Sequence, residues 1–275
     1  MAYHQILTIV VLEEKMKLQV LVATIEQSDL SLIEKMNIRC NAIIANQTDH
    51  NNFVEKEFDF GKVLMISTNT RGVGLNRNIA MLAAKADVLL FADDDMVYYD
   101  GSLDGVVEAF NANKSADVII FGVDIIKNGE IVSKRHYECK RAHIWNSMKY
   151  GTYAVAIRRS ALIKANIKFN ELFGGGCKYS AGEDSLFIKS CFERKLKVYT
   201  DSYVLGTCCK DSSTWFEGYN EKYFYDKGVL LRFLFPKLKY IMAIYFGIRF
   251  KRKTQISVAK RLKLIYKGIM ESKYI

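Results

Sequence analysis

One proline, four histidines and no CxxC pair are found in the 275 residues of this chain. Each scarcity removes a class of protein. With Pro236 alone, and with no repeat, low-complexity run or Gly/Ser-rich stretch, nothing reads as a linker between loosely joined domains. The six cysteines (Cys40, Cys139, Cys177, Cys191, Cys208 and Cys209) have no histidine at zinc-ligand spacing, and neighbours such as Cys208 and Cys209 rarely bridge. Such usage suits the reduced thiols of a cytosolic enzyme. Long hydrophobic runs are also missing. The uninterrupted stretch Ile241–Ile248 has eight residues, where spanning a bilayer takes about 20. The N-terminal "ILTIVVL" (6–12) is followed by Glu13 and Glu14 and has no basic segment before it. It does not read as a signal peptide; an extra edge strand, or sequence upstream of a start at Met16, is the expectation.

Acid is scarce in one region only. From Arg232 to the C-terminus there are 12 Lys/Arg and one acid, Glu271; removing these from the totals of 40 and 30 leaves 28 basic and 29 acidic residues in 1–231. The net charge of +10 therefore belongs to the last 44 residues. The expected division is a catalytic domain over 1–231 and a basic amphipathic helical tail over 232–275.

The remainder, 50% hydrophobic and 25% charged, suffices for a large core. "LQVLVAT" (18–24), "CNAIIAN" (40–46), "KVLMIST" (62–68) and "DVLLFA" (87–92) read as buried strands. A short helix is expected from Ser28-Asp29 through Met36, and 71–86 reads as a glycine turn leading into a second helix, with Leu75, Ile79, Leu82 and Ala86 as its stripe. "DVIIFGVDIIKNGEIV" (117–132) predicts a hairpin turning at Asn128-Gly129. "GTYAVAI" (151–157) reads as a strand, followed by a helix near 159–165. Gly174–Gly176 read as a mobile loop before a helix starting near Glu183, whose stripe is Phe187, Ile188, Cys191, Phe192 and Leu196. This rhythm predicts an α/β fold with a mostly parallel sheet covered on both faces.

Ligands of such sheets bind beyond the carboxyl ends of the strands, where "DVLLFADDDMVYYDG" (87–101) places Asp93, Asp94 and Asp95. Packed carboxylates are costly without a cation or partner. A solvated acidic turn, a calcium loop and a divalent metal site for nucleotide phosphates compete. A calcium loop needs oxygen ligands at alternate positions between helices, but Val97 holds the third and a strand precedes. An aspartyl-nucleophile phosphatase would use an earlier strand. Asp93 and Asp95 can bridge Mg²⁺ or Mn²⁺ to a diphosphate. About ninety residues later, Gly182-Glu183-Asp184 puts acids in the first turn of a helix beside the glycine loop. The helix dipole favours them there without any chemistry, yet that is also how a general base meets a substrate hydroxyl.

"RGVGLNRNIA", "FADDDM", "GEDSLF" and "SSTWFEGYNEKYFYDKG", in that order over roughly 18–236, resemble the Gly-Leu…Arg-Asn turn, the Asp-x-Asp, the Glu-Asp base motif and the acceptor-side segment of family 2 glycosyltransferases of the GT-A fold. Bacterial enzymes of capsule, lipopolysaccharide or exopolysaccharide synthesis are the most similar. The resemblance implies a Rossmann-like fold and inverting, metal-dependent transfer of a sugar from a nucleotide-sugar, a UDP-sugar foremost, to a saccharide acceptor. It implies Asp184 as base with Glu183 beside it, and Asp93 and Asp95 on Mn²⁺ or Mg²⁺ with Asp94 at the donor. Thr24 ends the first strand where the nucleoside should lie, and Arg71, Arg77 and Asn78 flank the glycine turn. Their structural alternatives are a surface arginine and a helix cap. Trp215 and Lys222 stand on the acceptor side. Two departures matter. Where relatives carry a base-reading aspartate, this chain has "ANQTDH", with Asn46 near the position and Asp49 behind it; and no histidine follows Asp184.

In the tail, Lys251, Arg252 and Lys253 follow the oily stretch 241–248, so apolar insertion and charge attraction would act side by side. Val258, Leu262, Ile265 and Ile269 form a stripe while Lys260, Lys263 and Lys267 face elsewhere. This basic amphipathic surface suggests an anionic membrane and a lipid-linked acceptor, with the protein peripheral on the inner face of the cell membrane. A packing helix with a solvated basic face is the alternative, and no motif supports nucleic acid. A metal-dependent nucleotidyl- or phosphotransferase and a silent nucleotide-sugar-binding module remain as other functional classes.

Overall fold

The structure, a computed structural model, describes residues 15–210, 218–250 and 253–274, apart from the side chains of Asn146, Ser147 and Tyr274. The N-terminal stretch 6–12, Trp215, Lys251 and Arg252 lie outside the described residues.

The chain begins β1 (Leu18–Ile25), α1 (Leu32–Lys35), β2 (Asn41–Gln47), β3 (Asn52–Phe58), β4 (Gly61–Thr68), α2 (Val73–Ala83) and β5 (Val88–Asp93). It continues β6 (Met96–Tyr98), α3 (Ser102–Ala112), β7 (Val118–Lys127), β8 (Glu130–Arg135), β9 (Lys140–Arg141), β10 (Val155–Arg158) and α4 (Arg159–Ala165). The last elements are α5 (Glu183–Glu193), β11 (Val198–Cys209), α6 (Glu221–Leu234), α7 (Lys239–Arg249) and α8 (Val258–Glu271). Among the described residues the strands form one sheet in the order β3-β4-β2-β1-β5-β10-β7-β11-β6, with β8 on β7 and β9 on β11.

The sheet is mixed. Parallel pairing joins β4, β2, β1 and β5, and again β7 and β11. β10 is antiparallel to both β5 and β7 and links the two parts. The oily strands β1, β2 and β5 are buried on both faces. One core layer packs them on α1 and α3 through Leu32, Ile33, Val106 and Phe110. The other packs them on α2, α4 and α5 through Ala80, Leu162, Phe187 and Cys191. The hairpin turns at Asn128-Gly129, both at positive φ (52° and 79°), as its sequence predicts.

Local chemistry moved several boundaries. The first helix starts at Leu32 instead of Ser28-Asp29, because the Asp29 carboxylate accepts from the Ser31 amide at 2.8 Å and holds a turn. In α2 the expected stripe is not the buried face: Leu82 is 87% exposed and Ala86 lies beyond the helix. Asn76, Arg77, Asn78 and Ala80 are buried instead. This helix lies over strand ends whose carbonyls need donors, and the Asn76 amide donates to the carbonyls of Ala45 (2.7 Å) and Thr24 (3.2 Å). Within "GTYAVAI", residues 152–154 form a 3-10 turn and the strand starts only at Val155. The glycine loop is held at both ends, by Val73 N–H to the Gly175 carbonyl (3.0 Å) and Gly174 N–H to the Tyr179 carbonyl (2.9 Å).

A third core joins α6, α7 and α8 through Phe224, Leu231, Ala243, Phe246, Ile265 and Ile269. Two glycines allow the close crossing of α6 and α8. A Cβ on Gly228 would meet the Ile265 carbonyl oxygen at 2.0 Å, and one on Gly268 the Tyr225 carbonyl oxygen at 2.1 Å. The boundary expected between 231 and 232 falls inside α6, so the extension is rooted in a helix that begins at Glu221. The α8 stripe turns inward, with Ile265 and Ile269 fully buried. Among the described residues no helix is long and apolar enough to cross a membrane.

Candidate active site

Parallel register aligns the carboxyl ends of three strands: Ala23 of β1 lies beside Asp93 of β5, and Thr24 beside Asn46 of β2. The chain leaves β5 through Asp94-Asp95 and returns as β6, which pairs with the end of β11 (Met96 with Cys208). That pairing carries Cys208 and Lys210 to the acidic turn. Each aspartate then has its own partner. Thr24 Oγ1 donates to Asp94 at 2.5 Å, the Cys208 thiol to one Asp95 oxygen at 3.3 Å, and Lys210 Nζ to the other at 3.1 Å. Burial pushes the Asp94 carboxyl up from its ordinary range despite the Thr24 bond, and drives the Cys208 thiol to about 12 with help from Asp95. For Lys210 burial works against the charge, but Asp95 outweighs it and the ammonium is held protonated.

Arg77 is the hub. Starting α2 at Gly72 (φ 118°), whose N–H donates to Gln47 Oε1 at 2.7 Å, aims this residue inward, and its side chain is 3% exposed. Its guanidinium reaches Asp93 at 2.6 Å, Asp184 at 2.9 Å and Glu183 at 3.5 Å, and lies 5.2 Å from the centre of the Phe169 ring. The two acidic motifs, far apart in sequence, thus share one planar fork.

The two acids of α5 differ in setting. Glu183 is 14% exposed and accepts from the Gly182 N–H at 3.0 Å. Burial first, then the neighbouring Asp184 charge, raises its carboxyl to about 7. Asp184 is 29% exposed. Its Oδ1 accepts from Arg77 and, at 2.5 Å, from Thr152 Oγ1 on the 3-10 turn before β10. Among the described residues its Oδ2 has no hydrogen bond. A carboxylate anchored by one oxygen and open at the other can take a proton from a hydroxyl brought to it.

Among the described residues, the remaining expected side chains make no hydrogen bond or ion pair with Arg77 or its three carboxylates. Asn46 is fully buried, donating to the Gln27 carbonyl (2.8 Å) and Ser67 (3.0 Å) and accepting from the Gln27 N–H (3.0 Å); its amide is spent on bracing β2. Asn78 likewise clamps Phe169 through its carbonyl (3.0 Å) and N–H (2.8 Å). Asp49 is an exposed acid beside His50, and Arg71 an exposed partner of Glu26 at 2.9 Å, both on loops beyond the parallel strands. Lys222 reaches Asp226 at 2.5 Å, and that carboxylate also accepts from Ser180 N–H (3.0 Å) and Oγ (2.8 Å); Lys222 braces the loop before α5. Thr152, Cys208 and Lys210 were not foreseen. The polar Thr152 inside an oily stretch was the available signal; the other two needed the β6–β11 pairing.

Among the described residues no three Asp, Glu, His or Cys side chains converge as a metal cage. In donor chemistry Asp93 and Asp95 are the one or two carboxylates that Mg²⁺ or Mn²⁺ uses when phosphate and water supply its other ligands, while in this structure Arg77 and Lys210 neutralise them.

The chain resembles known proteins in sequence pattern and in fold. The family model described as "Glycosyl transferase family 2" matches residues 13–167, which is 155 of the 275 residues. The structure of S. aureus TarS 1–349 in complex with UDP-GlcNAc is similar at 14% identity and a TM-score of 0.59, covering 92% of this chain and 72% of that one. The S. aureus TarS structure itself gives 17% and 0.58, with 86% of this chain and 44% of that chain covered. At these identities the likeness is one of fold. No curated protein matches the sequence.

Proposed function

The chain belongs to glycosyl transferase family 2, and from that premise we propose that it moves a sugar, with inversion, from a UDP-sugar to a hydroxyl of a saccharide acceptor. The observation carrying this reading is Arg77, which joins Asp93, on the turn suited to a diphosphate, to Asp184, on the helix suited to a base. The UDP-GlcNAc complex of TarS supports the choice of donor. In this reading the acceptor oxygen attacks the anomeric carbon opposite the departing diphosphate. Its proton passes to Asp184 Oδ2, the new C–O bond forms, and the electron pair of the broken C–O bond leaves on the nucleoside diphosphate. Thr152 and Arg77 hold Oδ1 and keep Oδ2 turned to the acceptor. Asp93 and Asp95 would hold Mg²⁺ or Mn²⁺, which when bound neutralises charge on the diphosphate. Lys210 contributes a second cation beside Asp95.

A lipid-linked acceptor of bacterial surface-polysaccharide synthesis, met at an anionic membrane surface, agrees with the basic C-terminal segment. The test is a thermal-shift series with UDP-, GDP-, CDP- and dTDP-sugars, each with Mn²⁺ and with chelator. At about a hundred times its dissociation constant the true donor stabilises by about 2.7 kcal/mol, and Mn²⁺ enlarges the shift. Release of inorganic diphosphate would replace this reading by nucleotidyl transfer, and binding without turnover with any acceptor by a sugar-nucleotide-binding module.

A further inference from the structure

Six of the seventeen large apolar side chains exposed among the described residues fall within 238–248: Leu238, Tyr240, Ile241, Ile244, Tyr245 and Ile248. Ile241, Ile244, Tyr245 and Ile248 follow i, i+3, i+4, i+7 spacing and so make one face of α7, each between 47% and 65% exposed. The opposite face is closed. Ala243 and Phe246 are buried in the third core, and Leu262 of α8 packs on Gly247 so closely that a Cβ there would come within 2.5 Å. The helix is thus fixed to α6 and α8 by one side and presents isoleucine and tyrosine on the other. A cluster of this kind marks an interaction surface.

Charge selects the occupant. Lys237 and Lys239 stand at the start of α7, Arg249 at its end with its guanidinium on the Tyr245 hydroxyl, and Lys253 just beyond. The last 44 residues hold 12 basic side chains against one acid, and with Arg261 buried and Lys260 and Lys267 paired to Glu221 and Glu271 the excess still lies with the others. A protein partner matched to an isoleucine face would not require that excess, whereas anionic headgroups do. Tyrosines beside the apolar row suit the boundary between headgroup and acyl chain.

We infer that the outward face of α7 is the surface by which this protein lies in an anionic lipid bilayer. Ile241, Ile244 and Ile248 enter the acyl boundary and the flanking lysines and arginines engage the headgroups. The inference rests on the membrane placement proposed above and sharpens it: α8, the amphipathic helix most evident in the sequence, turns its stripe to the protein and serves as scaffold, while α7 does the binding.

Flotation of the full-length protein with phosphatidylglycerol/phosphatidylcholine vesicles, and with phosphatidylcholine alone, tests it. Wild type binds the mixed vesicles, and high salt releases it only in part because the apolar contribution is not screened. Ile244→Asp/Ile248→Asp lowers binding about tenfold or more while the protein stays folded with a melting temperature only slightly lowered, since both side chains are about half exposed and lie outside the third core. Ile244→Trp, compared with wild type, shows a blue-shifted added emission with the mixed vesicles. Equal vesicle binding by wild type and the aspartate pair overturns the assignment of this face while leaving the membrane placement intact. No vesicle binding by wild type overturns both. Concentration-dependent dimerisation that the aspartate pair abolishes, without vesicle binding, gives the face to a second copy of the chain.

Discussion

Arg77 carries one positive charge among three carboxylates, almost out of water, so the balance at this residue governs its neighbours. Asp184→Asn keeps the shape and the Thr152 contact but removes the proton acceptor. Turnover should fall by about 10² to 10⁴ with donor affinity held, as single-turnover kinetics beside donor titrations would report; a normal rate would return Asp184 to a helix-dipole role. Glu183 makes a prediction in pH. Its carboxyl is raised from the ordinary 4.5 to about 7. Between those values the unfolded chain has lost the proton and the folded one retains it, so Glu183 makes stability fall as pH rises through that window. Glu183→Gln should match wild type in melting temperature below the window and exceed it increasingly up to pH 7, with the gain constant above. A variant less stable than wild type at pH 8 would show that the charged form is favoured by Arg77. Sequence exposed the acidic motifs of this site because carboxylates at a strand end or a helix start need a reason. Their joining by Arg77 was not legible, since a lone arginine on a helix gives no sign of pointing inward.

At the scale of elements, legibility followed burial. The strands β1, β2 and β5 are oily because both faces are covered, and they stand out in the sequence. β3 was invisible: "NFVEKEF" is an edge strand open to water and alternates charge where a core strand would be apolar. β10 is legible as a strand within 151–157, but its four residues carry nothing that says it runs antiparallel to both neighbours. Helix α2 misled because its inward face is polar, answering carbonyls at the strand ends. The glycines of α6 and α8 looked incidental in sequence and prove to be contacts. Gly228→Val puts a branched side chain against the Ile265 carbonyl, a main-chain atom that can yield only if the helices part. β-Branched valine recovers little helix propensity, so about 1–3 kcal/mol of stability should be lost, read as a lower denaturant midpoint. An unchanged midpoint would mean that the α6–α8 crossing is looser than described.

Across the whole molecule, charge and packing divide the chain at different places. The charge break lies at residue 232, yet α6 runs unbroken from Glu221 to Leu234 and gives Phe224 and Leu231 to the core it shares with α7 and α8. The same helix reaches the candidate site, since Asp226 holds Ser180 just before the helix bearing Glu183 and Asp184. We therefore predict that the C-terminal helices support the site as well as carrying membrane charge. Deleting 232–275 would bare the apolar side of α6, and the piece 1–231 should aggregate or melt well below the full chain, with weakened turnover on a water-soluble acceptor. The aspartate pair on the outer face of α7 should instead retain full turnover on that acceptor, because nothing in the cores depends on Ile244 or Ile248. The two variants thus separate support from attachment. If 1–231 proves monomeric, folded and fully active, α6 is stable without its partners and the charge break is the true domain boundary.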